Sequence, residues 1–190
     1  MVEPSLAALL AAADGGDRSA LDALFATLYS ELHRLARRQL SRGAGPMTLG
    51  TTTLLHEAYL DMAEREGSGF PDRGRFMAYA ARVMRGLIID YSRGRQAQKR
   101  GGEFEIGPMQ EDLAAPAAGH AQLVRIGDAL DELATVDPLL AQVVDLKFFC
   151  GFSFAEIAAM RGLSERTVQR HWEKARIYLH GLLGPRDALP

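Results

Sequence analysis

Apolar residues recur in this chain at intervals of three and four along nearly its whole length. No stretch alternates apolar with polar residues as a half-buried strand does, so the pattern predicts an all-α fold. A first helical block covers 19–40, with Leu21, Leu24, Phe25, Leu28, Leu32 and Leu35 forming one stripe. SRGAGP (41–46) ends it, and a second helix begins near Thr51 with Leu54, Leu55, Ala58, Tyr59 and Met62 on its apolar side. GSGFP (67–71) interrupts the pattern before a third helix over 74–96. Residues 99–119 are rich in glycine, proline, alanine and acids and lack periodicity, which reads as a flexible linker. Helical spacing resumes over 120–134, 138–150, 154–161 and 164–183. The expectation is two small helical domains, 1–98 and 120–190, joined by the linker 99–119.

With 190 residues, 47% of them hydrophobic, the chain can bury one ordinary core or two small ones. Its longest apolar run, 5–13, is far too short to span a bilayer and lacks the flanks of a secretory leader. A cytoplasmic protein with no membrane partner is expected. Cys150 is the single cysteine, so neither an internal disulfide nor a cysteine metal cage can form, and a buried, inert thiol is expected. The five histidines are scattered without ligand spacing, and no phosphate-cradling glycine loop, His-Glu-x-x-His or nucleophile elbow occurs. No enzyme activity, metal or cofactor is expected.

Net charge is only −2, but its distribution is uneven. Residues 73–100 carry eight Lys and Arg against Asp90, a local +7, which leaves −9 for the remainder. On the third helix Phe76, Tyr79, Ala80, Val83, Leu87 and Tyr91 make the apolar stripe, and Arg75, Arg82, Arg85 and Arg93 project from roughly the opposite side. Almost no acid interleaves these cations on the helix, so an anionic partner is expected to relieve their repulsion. The preceding loop bears Phe70, which suits either capture of an unstacked base or hydrophobic anchoring.

Residues 154–172 have the spacing of a helix-turn-helix. Ile157 and Ala158 face the partner helix, Gly162 supplies the positive φ of the turn, and Leu163 plugs it. Ser164 is a natural N-cap, with Val168, Trp172 and Ala175 on the buried side of the second helix. The other face carries Glu165, Arg166, Gln169, Arg170 and Lys174, side chains of the kind that meet base edges and phosphates in a major groove. An ordinary helical hairpin with a solvated face is the competing reading.

FMAYAARVMRGLIIDYSR (76–93), followed by KRGG (99–102), resembles the second conserved region of extracytoplasmic-function σ factors, and 154–179 resembles their fourth region. The order and spacing of both motifs match, and the likeness covers about 19–183. The resemblance implies partners and roles. The first module would bind core RNA polymerase and melt and read the −10 promoter element through Phe70, Arg73, Arg75, Arg82, Arg85, Arg93, Lys99 and Arg100. The second would read the −35 element of promoter DNA through Ser164, Glu165, Arg166, Gln169, Arg170 and Lys174. An anti-σ factor is a further partner the resemblance leaves open.

One departure from that family matters. In most members, the helix corresponding to 51–62 opens with acids that dock on the β′ clamp helices of the polymerase, whereas this chain has Gly50, Thr51, Thr52 and Thr53. Leu54, Glu57 and Asp61 are left as the polymerase-binding set. Phosphorylating a threonine adds about −1.5 to −2 charge at a helix N-terminus, where the backbone dipole favours an anion. A Ser/Thr protein kinase is therefore an expected partner, with Thr51 the first choice of site, then Thr52 and Thr53. Simple N-capping by a threonine is the competing reading. The rival to the whole scheme is a helix-turn-helix regulator that acts without being a polymerase subunit.

Overall fold

The computed structural model describes residues 4–42, 49–64, 70–101 and 114–184, with the side chains of 42, 95–101, 114–120 and 123 left out. Every regular element among them is helical. The N-terminal module comprises α1 (Leu6–Asp14), α2 (Arg18–Thr27), α3 (Tyr29–Arg42), α4 (Thr51–Glu64) and α5 (Arg73–Gly101). The C-terminal module comprises α6 (Ala114–Val136), α7 (Pro138–Val144), a π-helical turn (Asp145–Cys150), α8 (Phe154–Arg161) and α9 (Glu165–Leu183). Short polar side chains set most of the starts. Ser5 caps α1, Asp17 caps α2, Asp137 caps α7, Ser153 caps α8 and Ser164 caps α9, each accepting from a backbone N–H of the first turn.

The block predicted over 19–40 is two helices. The chain breaks at Leu28, whose own side chain stays buried, so the stripe from Leu21 to Leu35 is continuous across the break. Periodicity cannot see such a break, because the apolar spacing is preserved through it. α1 adds Leu9, Leu10 and Ala13 to the same core. The 138–150 segment is likewise α-helical only to Val144 before widening into the π turn. Helix also enters both ends of the predicted linker, since α5 runs to Gly101 and α6 begins at Ala114.

α5 is the axis of the molecule. Beside the predicted stripe of Phe76, Ala80 and Val83 it buries a second one, Met77, Ala81, Met84 and Ile88, at i, i+4, i+7 and i+11. A third row, Ala78, Arg85 and Ile89, is buried as well. The helix is therefore enclosed by α3 and α4 on one side and by α6 and the π turn on the other. The two modules pack on each other across α5, and their buried apolar residues form one cluster.

The π turn is the wedge between them, seated against both α3 and α5. Leu146 and Phe149 are fully buried there, and the Cys150 thiol donates to the Met77 carbonyl at 3.7 Å. Burial, reinforced by Asp145, pushes that half-buried thiol well above the ordinary cysteine value. At the end of the wedge Gly151 adopts φ 79°, and a Cβ placed there would lie 1.7 Å from Nη1 of Arg38 on α3. Glycine here satisfies a left-handed backbone and admits a guanidinium to the last turn of a helix, where a cation is favoured.

Candidate nucleic-acid interface

α8 and α9 form the helix-turn-helix. Ser153 and Glu156 make a reciprocal capping box at the start of α8, with Ser153 N–H donating to Glu156 Oε2 at 2.7 Å and Glu156 N–H to Ser153 Oγ at 3.2 Å. Those bonds from the Ser153 backbone and hydroxyl hold the Glu156 carboxyl below its ordinary range. Gly162 turns the chain at φ 62°, ψ 32°, and Leu163 N–H returns to the Ala158 carbonyl at 3.0 Å, closing a Schellman-type end. Leu163 itself is exposed, so it does not plug the turn as expected; that backbone bond leaves its side chain in solvent. Ile157, Val168, Trp172, Ala175 and Leu179 fill the space between the helices and their module. Trp172 stands at 6.4 Å from the Phe154 ring, and the Lys147 ammonium lies 4.4 Å from the same ring.

The outward face of α9 presents Glu165, Arg166, Gln169, Arg170 and Lys174, all exposed, with Ser164 at its N-terminus. Ser164 spends its oxygen on the cap, accepting from Thr167 N–H at 3.2 Å. Gln169 donates to Glu165 at 3.4 Å, one helical turn back. Glu173, not among the predicted residues, shares this face and pairs with Arg176 at 3.3 Å. His171 is half-buried, and its buried Nδ1 lacks a hydrogen-bond partner.

The α5 face differs from expectation. Arg85 does not project outward: it is 3% exposed, ion-paired with buried Asp145, 3.4 Å from Asp131, and lies 5.2 Å over the Phe149 ring. Burial raises the Asp145 carboxyl despite Arg85, whose charge and hydrogen bond act in the opposite direction. Arg82 pairs with Asp131 at 3.6 Å, and Arg93 with Asp128 at 3.4 Å and Asp90 at 3.8 Å. Arg73 pairs with Glu31 on α3, and Arg75 sits 4.0 Å from Asp72. The acid that α5 lacks on its own surface thus comes from α6 and the π turn, and the expected uncompensated repulsion is absent. Sequence separation hid this, although Asp128 and Asp131 stand at i, i+3 on one helix face.

Phe70 is buried rather than poised for a base. It stacks edge-on to Phe76 at 5.5 Å and leans on Tyr79 at 5.2 Å, while its N–H donates to Asp14 at 2.9 Å. Hydrophobic anchoring is the role its surroundings support. The side chains of Lys99 and Arg100 lie outside the described residues. Between α5 and α6–α7 an open cleft of about 450 Å³ is lined by Arg75, Tyr79, Arg82, Arg85 and Gln142.

At α4, Leu54 N–H bonds the Gly50 carbonyl at 2.9 Å, which makes Gly50 the N-cap and places Thr51, Thr52 and Thr53 inside the first turn. None of the three threonines is the cap, and the turn contains no acid. Thr52 and Thr53 are exposed and Thr51 is half-buried. Leu54 is fully buried and so belongs to the core rather than to a docking surface, whereas Glu57 is exposed and Asp61 half-buried.

Among the described residues no group of three His, Cys, Asp or Glu is placed to hold a metal ion, and no helix is long and apolar enough to cross a membrane. A family model described as ECF sigma factor matches residues 3–183. The chain is also 29% identical over 185 residues to the ECF RNA polymerase sigma factor SigM of two Mycobacterium tuberculosis strains, Erdman and H37Rv, covering 96% of this chain and 86% of each relative. With a family match across nearly its whole length and a helix-turn-helix presenting a polar, cationic face, the chain belongs to the extracytoplasmic-function σ factor family.

Proposed function

We propose that this protein is a promoter-selecting subunit of RNA polymerase whose engagement is switched by threonine phosphorylation. α9 enters the major groove of the −35 element with Arg166, Gln169 and Arg170 toward base edges and Lys174 toward phosphate. α5 meets the −10 element with Arg75, Arg82 and Arg93. Glu57 and Asp61 on α4 meet the β′ clamp helices. The exposed, sparsely paired face of α9, on a family match of this extent, is the observation that carries the reading.

The α4 N-terminus supports the switch. Its cap is a glycine without a side chain, its first turn has no acid, and two of its threonines, Thr52 and Thr53, are exposed. A phosphate on Thr52 or Thr53 would meet backbone N–H groups that have no intrahelical partner, in a favourable dipole worth about 0.3–1 kcal/mol. It would also add the charge that complements a basic partner. Exposure ranks Thr52 and Thr53 above Thr51 as kinase targets. The test is core-polymerase binding and promoter-specific transcription by kinase-treated wild type, Thr51→Ala, Thr52→Ala, Thr53→Ala and the triple variant. The switch predicts that the triple variant loses both activities and that one single variant accounts for the loss. A triple variant that binds core as tightly as the kinase-treated wild type rules the switch out. A wild type that never associates with core in any modification state rules out the polymerase role.

A further inference from the structure

We infer that the cleft between α5 and α6–α7 is a binding site for a free nucleotide, with phosphates on Arg75 and Arg82, the base in the slot beside Tyr79, and a base N–H on Gln142. None of these groups belongs to the α9 face, so the site is a second binding function of the chain. Arg75 and Arg82 are also assigned to the −10 element, which makes free nucleotide and single strand rival occupants of the same guanidinia.

One face of α5 supplies the cations and an aromatic ring. Arg75, Ala78, Tyr79 and Arg82 line the cleft at i, i+3, i+4 and i+7, which places them in one row. The two arginines stand about 10 Å apart along the axis at about 1.5 Å per residue, with Tyr79 between them. Neither is used up by its acid. Arg75 is 4.0 Å from Asp72 and Arg82 is 3.6 Å from Asp131, both longer than a hydrogen bond, and the two arginine side chains are 43% and 56% exposed. Each guanidinium therefore keeps donors for an anion, and phosphate matches its forked geometry. Beyond Arg75, Arg161 at the end of α8 feels the charges of both Asp72 and Arg75, and its Nη1 is buried without a hydrogen-bond partner among the described residues. Two guanidinia share one acid at that end of the cleft, whereas Arg82 and Arg85 face Asp131 and Asp145 at the other. The surplus of positive charge thus sits at the Arg75 end.

The opposite wall is small-residued and apolar. Ala134 on α6 and Pro138 and Ala141 on α7 line it, and the volume of about 450 Å³ is that of a small-molecule site. A flat heteroaromatic ring suits a slot with an aromatic ring on one side and small apolar groups on the other. Gln142 lies on the same wall, and its Oε1 is buried without a partner among the described residues. A buried acceptor left unmatched costs stability, whereas an N–H from a ligand satisfies it. The buried Arg85–Asp145 pair also lines the cleft, and its charges neutralise each other, so a bound anion meets no bare carboxylate there. Anion, flat ring and N–H donor together describe a nucleotide. A simple anion would leave Gln142 unmatched, and an uncharged aromatic would leave the arginines unused.

Equilibrium dialysis of the full chain against labelled ATP, GTP, CTP and UTP, their nucleosides and pyrophosphate tests the site. At least one nucleotide is expected to bind about tenfold more tightly than its own nucleoside and than pyrophosphate, since each of those lacks one set of contacts. Gln142→Leu is expected to melt at or above the wild-type temperature, because it removes an unmatched acceptor, yet to bind that nucleotide roughly three- to tenfold more weakly. Ala134→Leu, at a half-buried position on the slot wall, is expected to fold and to lose binding through bulk alone. Should Gln142→Leu fail to fold, Ala134→Leu decides. The site is overturned if no nucleotide binds above its nucleoside and pyrophosphate, or if the folded variants bind like wild type. A mixed-sequence single-stranded 12-mer that binds while no free nucleotide does assigns the cleft to promoter DNA and overturns the site as well.

Discussion

The Arg85–Asp145 pair shows how one residue can mislead when only its own helix is considered. Arg85 lies on the cationic side of α5, yet the structure buries it. A buried ion pair is weak evidence of stability, because desolvating two charges offsets most of their attraction. Burial raises the Asp145 carboxyl against the opposing pull of Arg85, in the direction of that cost. Removing one partner is another matter, since it strands a buried charge. Asp145→Ala is expected to cost about 3–5 kcal/mol in chemical denaturation. The double variant Arg85→Met with Asp145→Leu is expected to recover most of that loss, leaving stability near wild type. A double variant as unstable as the single one would show that the pair contributes more than the apolar volume it occupies.

At the scale of elements, the helix-turn-helix was legible almost to the residue. Gly162, Ser164 and the Val168, Trp172, Ala175 stripe are local signals, and the structure places each as read. The capping box at α8 makes a local prediction with a definite pH sense. Glu156 titrates below its ordinary value in the folded protein, so its contribution is present above the unfolded value and is lost as pH falls through the folded one. Ser153→Ala is expected to cost about 1 kcal/mol at neutral pH and to flatten the acid-side decline in C-terminal module stability. A thermal melt series from neutral to acidic pH, wild type beside variant, checks both. On α9, Lys174→Ala is expected to weaken duplex binding uniformly and reduce the salt slope by about 1. Arg170→Ala should instead relax base preference at one position by about 1–3 kcal/mol. Binding-site selection with each variant separates the two roles.

α5 and α4 were legible only in part, and for a shared reason: pattern reveals which faces are apolar but not what covers the others. The second stripe of α5, Met77 to Ile88, has helical spacing in the sequence, but the burial of Arg85 does not show there, because its partners Asp131 and Asp145 come from 46 and 60 residues away. Leu54 looked like a docking residue because it opens α4, and the core claims it instead.

For the whole molecule, the question is what couples the two modules. Arg82–Asp131 and Arg93–Asp128 are pairs with side chains more than half exposed, each worth about 0–1 kcal/mol and screened as the Debye length falls from about 10 Å to 3 Å between 0.1 and 1 M salt. The wedge of Leu146 and Phe149 is apolar and buried, and screening does not reach it. Coupling through the wedge therefore predicts a single calorimetric transition at both salt concentrations, with only a small shift in midpoint. Gly151→Val attacks the wedge without touching an acid or an assigned DNA contact. It demands positive φ of a β-branched residue and drives a Cβ into the Arg38 guanidinium. In that variant the unfolding is expected to split into two transitions, one for each module, while duplex binding by α9 persists. A wild type that already melts in two steps, or a Gly151→Val protein that keeps a single one, would locate the coupling somewhere other than the wedge.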